Sequence, residues 1–323
     1  MDSTTLVRSK RAVWSAMRAI AESPSHSLEQ NLLRIYHPTA HWRGSHPLNE
    51  MQGVEAIARG VWAPFRHAFP DLERRDDIVM GGTYEGRDYV GCVGHLCGRF
   101  RNSWLGIAAS GQLVYLRYGE FHQMAEGKIV QTTMLVDVLD FLRQIGLWPL
   151  GPSRGCEGRW AGPQLADGLL FAPQDPQQSA SSLALTLAMQ ASLRAYDDAP
   201  GAGREGLLTM PQKDFWHPQM MWFGPSGIGT ARGLDGFVDH HQLPFRTAFP
   251  KTAQLAATAD GSKDGKNHYV RIGDGPFSAT GGWPSRYLVH AGAGWLGLPA
   301  TGRAVTMRVM DFYRADGGLI HEN

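Results

Sequence analysis

The first 145 residues change their hydrophobic rhythm partway along. Leu6–Ile20 has the spacing of a helix, and Leu28–Tyr36 predicts a second one with Ser25 or Ser27 as its N-cap. Gly53–Phe69 predicts a third, ended by Pro70. Beyond Pro70 the pattern becomes extended, near Asp76–Met80 and over Asp88–Phe100, Gln112–Met124 and Lys128–Val136. The last two segments are joined by Ala125-Glu126-Gly127, a short hairpin loop. Asp137–Ile145 predicts a closing helix, with Asp137 as its N-cap and Gly146 just past its end. Helices followed by antiparallel hairpins describe an α+β domain, in which helices cover one face of a curved sheet. A strongly bent sheet makes a cone with one open end, a shape that small molecules favour.

The pattern returns in the second half. His37-Pro38 recurs 180 residues later as His217-Pro218. At that spacing Trp42 meets Trp222, Gly44 meets Gly224 and Gly53 meets Gly233. Pro64-Phe65-Arg66 and Ala68-Phe69-Pro70 likewise meet Pro244-Phe245-Arg246 and Ala248-Phe249-Pro250. Tyr89-Val90 over Tyr269-Val270 extends the series. Farther on the spacing is 191, with Trp104-Leu105-Gly106 on Trp295-Leu296-Gly297 and Gly111, Val114, Arg117 and Phe121 on Gly302, Val305, Arg308 and Phe312. The change of spacing predicts an 11-residue insertion between Val270 and Trp295. The chain therefore reads as a tandem repeat. A first domain is expected over 1–150, a Pro/Gly-rich linker over 151–178 and a second domain over 179–323. Thr132 corresponds to Asn323, so the second domain is expected to lack half of its last strand and the closing helix.

Composition narrows the function classes. The chain has 323 residues, of which 31 are basic and 30 acidic. That balance gives no electrostatic pull toward nucleic acid or an anionic membrane surface. There is no run of about 18 apolar residues, so no membrane helix is expected. Three cysteines make no disulfide framework, and a reduced, cytoplasmic setting is the simplest expectation.

Several of these segments together resemble a known family. They are the helix ending in Pro64-Phe65-Arg66-His67-Ala68-Phe69-Pro70-Asp71, the strand with Trp104-Leu105-Gly106-Ile107, the hairpin Glu126-Gly127-Lys128-Ile129 and the segment Asp137–Gly146. In combination they are similar to SnoaL-like polyketide cyclases, also called predicted ester cyclases, of the nuclear-transport-factor-2-like fold. The resemblance implies two tandem cone-shaped domains of the cystatin-like α+β barrel type, each a curved antiparallel sheet covered by helices. It also implies an intrachain pseudo-dimer, because such cyclases pair subunits through their sheets, and it admits a homo-oligomer. The family's acid–base aspartate falls on Met134, which transfers no proton. The family's histidine falls on Glu120.

Strand alternation supplies the other candidates. Tyr118, Glu120 and His122 share one strand face, and Asp311 repeats the carboxylate in the second unit. If that face lines the cone, burial would raise the pKa of Glu120 toward neutrality and suit it to general acid–base work, assisted by His95 or His122. The alternative for Glu120 is a structural salt bridge with an arginine across the sheet. His95 has no counterpart in the second unit, where Gly275 takes its place at the first spacing. Trp42, Trp104, Trp222 and Trp295, with Tyr118 and Met134, are expected either to line apolar pockets or to pack the core. The adjacent His240 and His241 point apart and share no metal, and Cys92 and Cys97 fall on opposite strand faces. No metal or other cofactor is expected. The expected ligand is a small apolar or aromatic molecule. Two readings stand: a cofactor-free cyclase, isomerase or hydrolase, or a binding or scaffold protein that keeps the cone without catalysis.

Overall fold

The computed structural model describes residues 3–193, 195, 202–250 and 268–323. The chain divides into two compact units, one of residues 1–148 with 162–174 and one of residues 149–161 with 175–323. The Pro/Gly-rich stretch is thus shared out, its first half packing on the second unit and its second half on the first. In the first unit Leu169 bridges to Val79, and in the second Cys156 bridges to Thr230.

The first unit begins with α1 (Ser3–Glu22) and α2 (Leu28–Ile35). Six strands follow: β1 (Tyr36–Gly44), β2 (Glu50–Gln52), β3 (Glu73–Tyr84), β4 (Arg87–Arg99), β5 (Leu113–Ala125) and β6 (Lys128–Val136). They form one open sheet in the order β2-β1-β6-β5-β4-β3. Between β2 and β3 lie α3 (Val54–Ile57) and α4 (Ala63–Ala68). Helix α5 (Val138–Gln144) closes the unit, with the Asp137 carboxylate accepting from the Asp140 N–H at 3.0 Å. Two expectations need correction. The sheet is mixed and not purely antiparallel, because β1 runs parallel to β6. It also has six strands where the pattern indicates four, since β1 and β2 carry no clean alternation.

The second unit contains α6 (Pro176–Ser192), α7 (Gly203–Thr209), α8 (Gly233–Phe237) and α9 (Leu243–Ala248). Its strands are β7 (Trp216–Phe223), β8 (Thr230–Arg232), β9 (Val270–Asp274), β10 (Phe277–Val289), β11 (Ala304–Asp316) and β12 (Leu319–Glu322). Their order, β8-β7-β12-β11-β10-β9, repeats that of the first unit. Residues 270–274 therefore form the counterpart of β3, and Tyr89-Val90 on β4 does not match Tyr269-Val270. Most of the added length lies between Pro250 and β9, ahead of the expected place. A smaller addition is the register shift between Gly282 and Arg286 in β10. The counterpart of His95 falls in that bulge and not at Gly275. No helix among the described residues is long and apolar enough to cross a membrane.

Both units share one irregularity, which proline causes. The helical segments α3–α4 and α8–α9 are each interrupted by a wider π turn, at Ala58–Trp62 and at Val238–Gln242. Pro64 and Pro244 have no N–H to give the carbonyl four residues earlier, and their rings crowd it, so the ladder opens by one residue.

Candidate functional site

The inner face of the first sheet carries the chemistry. Cross-strand pairing sets it out in rows. Trp42, Thr132, His122, Val90 and Gly81 form one row, and Gly44, Met134, Glu120, Cys92 and Val79 form the next. Then come Tyr118, Gly94 and Asp76, followed by Leu116, Leu96 and Arg74. The face is packed: Trp42, Tyr118, Glu120, His122, Thr132, Met134 and Arg74 are all buried. The row holding Gly94 is unusually tight. A Cβ there would lie 2.0 Å from the Arg75 carbonyl oxygen and 2.8 Å from the Asp76 Cα. A register shift between Asp76 and Ile78 adds one residue to β3 at this point. It keeps Arg74 and Asp76 inside and turns Asp77 out.

Arg74 organises the cluster. Its Nη2 lies 2.8 Å from Asp76 Oδ1, and its Nη1 lies 2.8 Å from Glu120 Oε2. The guanidinium sits over the Tyr118 ring, 4.4 Å from its centre, while the Tyr118 hydroxyl donates to Asp76. This is the structural salt bridge across the sheet, two strands from Glu120. It reverses the expected titration. Burial pushes the Glu120 carboxyl up, but Arg74 and then His122 outweigh it and bring the pKa down to about 2. Glu120 is therefore an ionised, weakly basic carboxylate. Its Oε1 is buried and has no hydrogen-bond partner.

A chain of hydrogen bonds leaves Glu120 in the other direction. His122 Nε2 is 3.3 Å from Glu120 Oε2, and its Nδ1 is 2.9 Å from the Thr132 hydroxyl. Thr132 lies in turn 2.9 Å from the Tyr36 hydroxyl. An ionised carboxylate only accepts, so Nε2 donates to it. Burial raises the Tyr36 pKa far above its usual value, so this phenol keeps its proton. The hydroxyls of Tyr36 and Thr132 can donate in either direction along this chain, and the Tyr36 hydroxyl also lies 4.0 Å from the Met17 sulfur. Both ring nitrogens of His122 are thereby engaged.

The remaining expected site residues separate from this cluster. His95 pairs with Arg117 and Arg75 on the outer face, and its Nδ1 lies 3.1 Å from Asp77. It cannot assist Glu120 through the sheet. Trp104 packs with Phe65, Phe69 and Phe141, at centroid distances of 4.7, 6.3 and 5.4 Å, in a closed aromatic core. In the second unit Asp311 pairs with Thr280 on β10 and is half-buried. Burial, and then the charge of Asp311, hold the neighbouring Tyr313 well above its usual pKa. The Tyr313 hydroxyl accepts from Gln190 at 3.2 Å, and Gln190 also reaches Thr280 at 3.0 Å. Trp222 is buried and Trp295 half-buried. Arg74, Asp76, Thr132 and Tyr36 are site residues that sequence reasoning missed. Alternation over Glu73-Arg74-Arg75-Asp76 would have found the first two.

Among the described residues, one group has the donors for a metal ion: Cys92, Glu120 and His122, with ligand atoms within 4.8 Å of one another. Arg74 does not fit a cation at that place, because its guanidinium already sets a positive charge 2.8 Å from Glu120. Burial also pushes the Cys92 thiol well up, away from the thiolate a metal needs.

Residues 15–145 match the family model described as SnoaL-like polyketide cyclase. Among solved structures, a SnoaL-like protein from Jannaschia sp. CCS1 is 24% identical with a TM-score of 0.36, over 43% of this chain and 93% of its own. TsrD from Streptomyces laurentii is 19% identical with a TM-score of 0.35, over 43% and 96%. An NTF2-like protein from Burkholderia pseudomallei K96243 is 14% identical with a TM-score of 0.33, over 45% and 99%. No curated protein matches the chain.

Proposed function

We infer that this chain, whose first unit is a SnoaL-like domain, uses that unit to bind a small, largely apolar or aromatic molecule without transforming it. The ion pair between Arg74 and Glu120 carries this reading. A carboxylate brought down to about 2 is a poor general base at neutral pH. His122 has no nitrogen left for a substrate proton, since one faces Glu120 and the other Thr132. Met134 stands where the family's acid–base aspartate would be, beside Glu120 across the β5–β6 pair. What the site offers is an acceptor: the unpartnered Glu120 Oε1 suits a ligand hydroxyl.

One observation favours a catalytic alternative. A histidine donating to a carboxylate is the arrangement of an oriented general base, and it would act if Thr132 released Nδ1. Titration with methyl 3-hydroxy-2-naphthoate, a hydroxylated aromatic ester, separates the two. Tryptophan fluorescence should show saturable binding that Glu120→Gln weakens, with the probe recovered intact by chromatography. Conversion of the probe at a rate that Glu120→Gln or His122→Ala lowers by about 10²-fold or more would establish the catalytic alternative instead.

A further inference from the structure

A histidine in the second unit has no role in this scheme. His241 lies in the π turn Val238–Gln242. Its ring stacks on Trp222, with centroids 4.6 Å apart and planes 14° from parallel. Phe237, Phe245 and Trp295 surround it at 5.5, 5.7 and 6.3 Å. Burial, and then the charge of Arg246, bring its pKa down to about 4, so the imidazole is uncharged at neutral pH. Its Nδ1 is shielded from solvent and has no hydrogen-bond partner.

The first unit shows that the fold does not require this histidine. The residue 180 positions earlier is Val61, buried in an apolar core. There, Phe65 and Trp104 are 2% and 3% exposed, whereas their counterparts Phe245 and Trp295 are half-buried. The second unit thus has partly exposed aromatic rings and an unsatisfied polar atom among them. Buried polar atoms in native proteins find partners, and an aromatic cage selects flat partners.

We propose that the second unit binds a flat aromatic molecule carrying a hydroxyl group, its ring against Phe245 and Trp295 and its hydroxyl on His241 Nδ1. A hydroxyl both donates and accepts, so it satisfies either tautomer of the imidazole, whereas a carbonyl satisfies only one. The nearby charge of Arg246 disfavours a cationic ligand. The site is separate from the Arg74–Glu120 cluster and does not depend on the reading given for it.

The pair 2-naphthol and 2-methylnaphthalene tests the proposal, because the two share a shape and differ in the hydroxyl. The whole chain is titrated while NMR follows the His241 ring nitrogens. 2-Naphthol should shift the Nδ1 resonance and bind this site about tenfold more tightly than 2-methylnaphthalene, the preference one hydrogen bond supplies. In a chain already carrying Glu120→Gln, which removes the hydroxyl acceptor of the first unit, the preference should persist, and adding His241→Phe, which keeps a ring on Trp222, should abolish it. An Nδ1 resonance unmoved by saturating 2-naphthol would overturn the proposal, as would an equal preference after His241→Phe in the chain that carries Glu120→Gln. If His241→Phe does not fold, the Nδ1 resonance of the unaltered chain decides alone.

Discussion

Replacing Arg74 with methionine would measure what the buried ion pair contributes. The substitution keeps an unbranched stem over Tyr118 and deletes the guanidinium that contacts both Asp76 and Glu120. Glu120 then remains a buried carboxylate with only His122 beside it. Removing one partner of a buried pair costs about 3–5 kcal/mol. The Glu120 pKa lies below its usual value although burial pushes it up, which gives the pair the same stabilising sign. Against a domain stability of about 5–15 kcal/mol, that cost is a large fraction. Urea unfolding of the first unit, followed by fluorescence, is the assay. A two-unit chain need not unfold in one step, so the comparison is between matching transitions. The pH dependence gives a second, independent sign. With a depressed folded pKa, the pair stabilises the native chain above about 4.5 and is lost as the pH falls toward 2. In Arg74→Met only His122 still opposes burial, so the Glu120 pKa rises and protonation relieves the variant as the pH falls. The stability gap should therefore close on acidification, and Arg74→Met/Glu120→Gln should recover part of the loss at pH 7. A gap under about 1 kcal/mol at pH 7, or one that stays constant down to pH 3, would refute the assignment of the pair.

Thr132→Val removes the hydroxyl between Tyr36 and His122 and leaves both without that partner, so it should destabilise by about 1–3 kcal/mol in urea unfolding. Gly94→Ala drives a Cβ into the β3 backbone and should lower the first unit's melting temperature by several degrees, the shift that about 1–3 kcal/mol of overpacking gives. For His241 the folded pKa lies below the usual 6.5, so its contribution is present above that pH and is lost as the pH falls toward 4. The loss is at most about 3 kcal/mol, and His241→Phe should flatten that part of the stability curve.

Local chemistry made the repeat legible, and the same chemistry misled once. Tryptophan, proline and glycine sit at fixed places in both units because a turn or a core slot needs them, so the two spacings expose the duplication. Tyr89-Val90 and Tyr269-Val270 match equally well as letters, yet the first lies on β4 and the second at the start of β9, the counterpart of β3. Two β-rich segments of similar composition cannot be told apart without their pairing partners. Glu120 and His122 were legible as one strand face because alternation is local. Arg74 was not, because its relation to Glu120 spans two strand pairings, and the charged run Glu73–Asp77 looks solvent-facing until the register shift after Asp76 sorts it. His95 was misplaced for the same reason, since a strand's own sequence does not say which of its faces meets the core. The direction of the Glu120 shift followed from Arg74: burial alone predicts a raised pKa, and one guanidinium at 2.8 Å reverses it.

The paired π turns bear on how the two halves could diverge after duplication. Pro64 and Pro244 hold the backbone open whichever residue occupies the turn, so position 61 and its copy at 241 are free to vary without refolding the helix. One copy spent that freedom on valine and sealed its interior, and the other spent it on histidine. A single kink, present in both units, thus carries a different side chain in each.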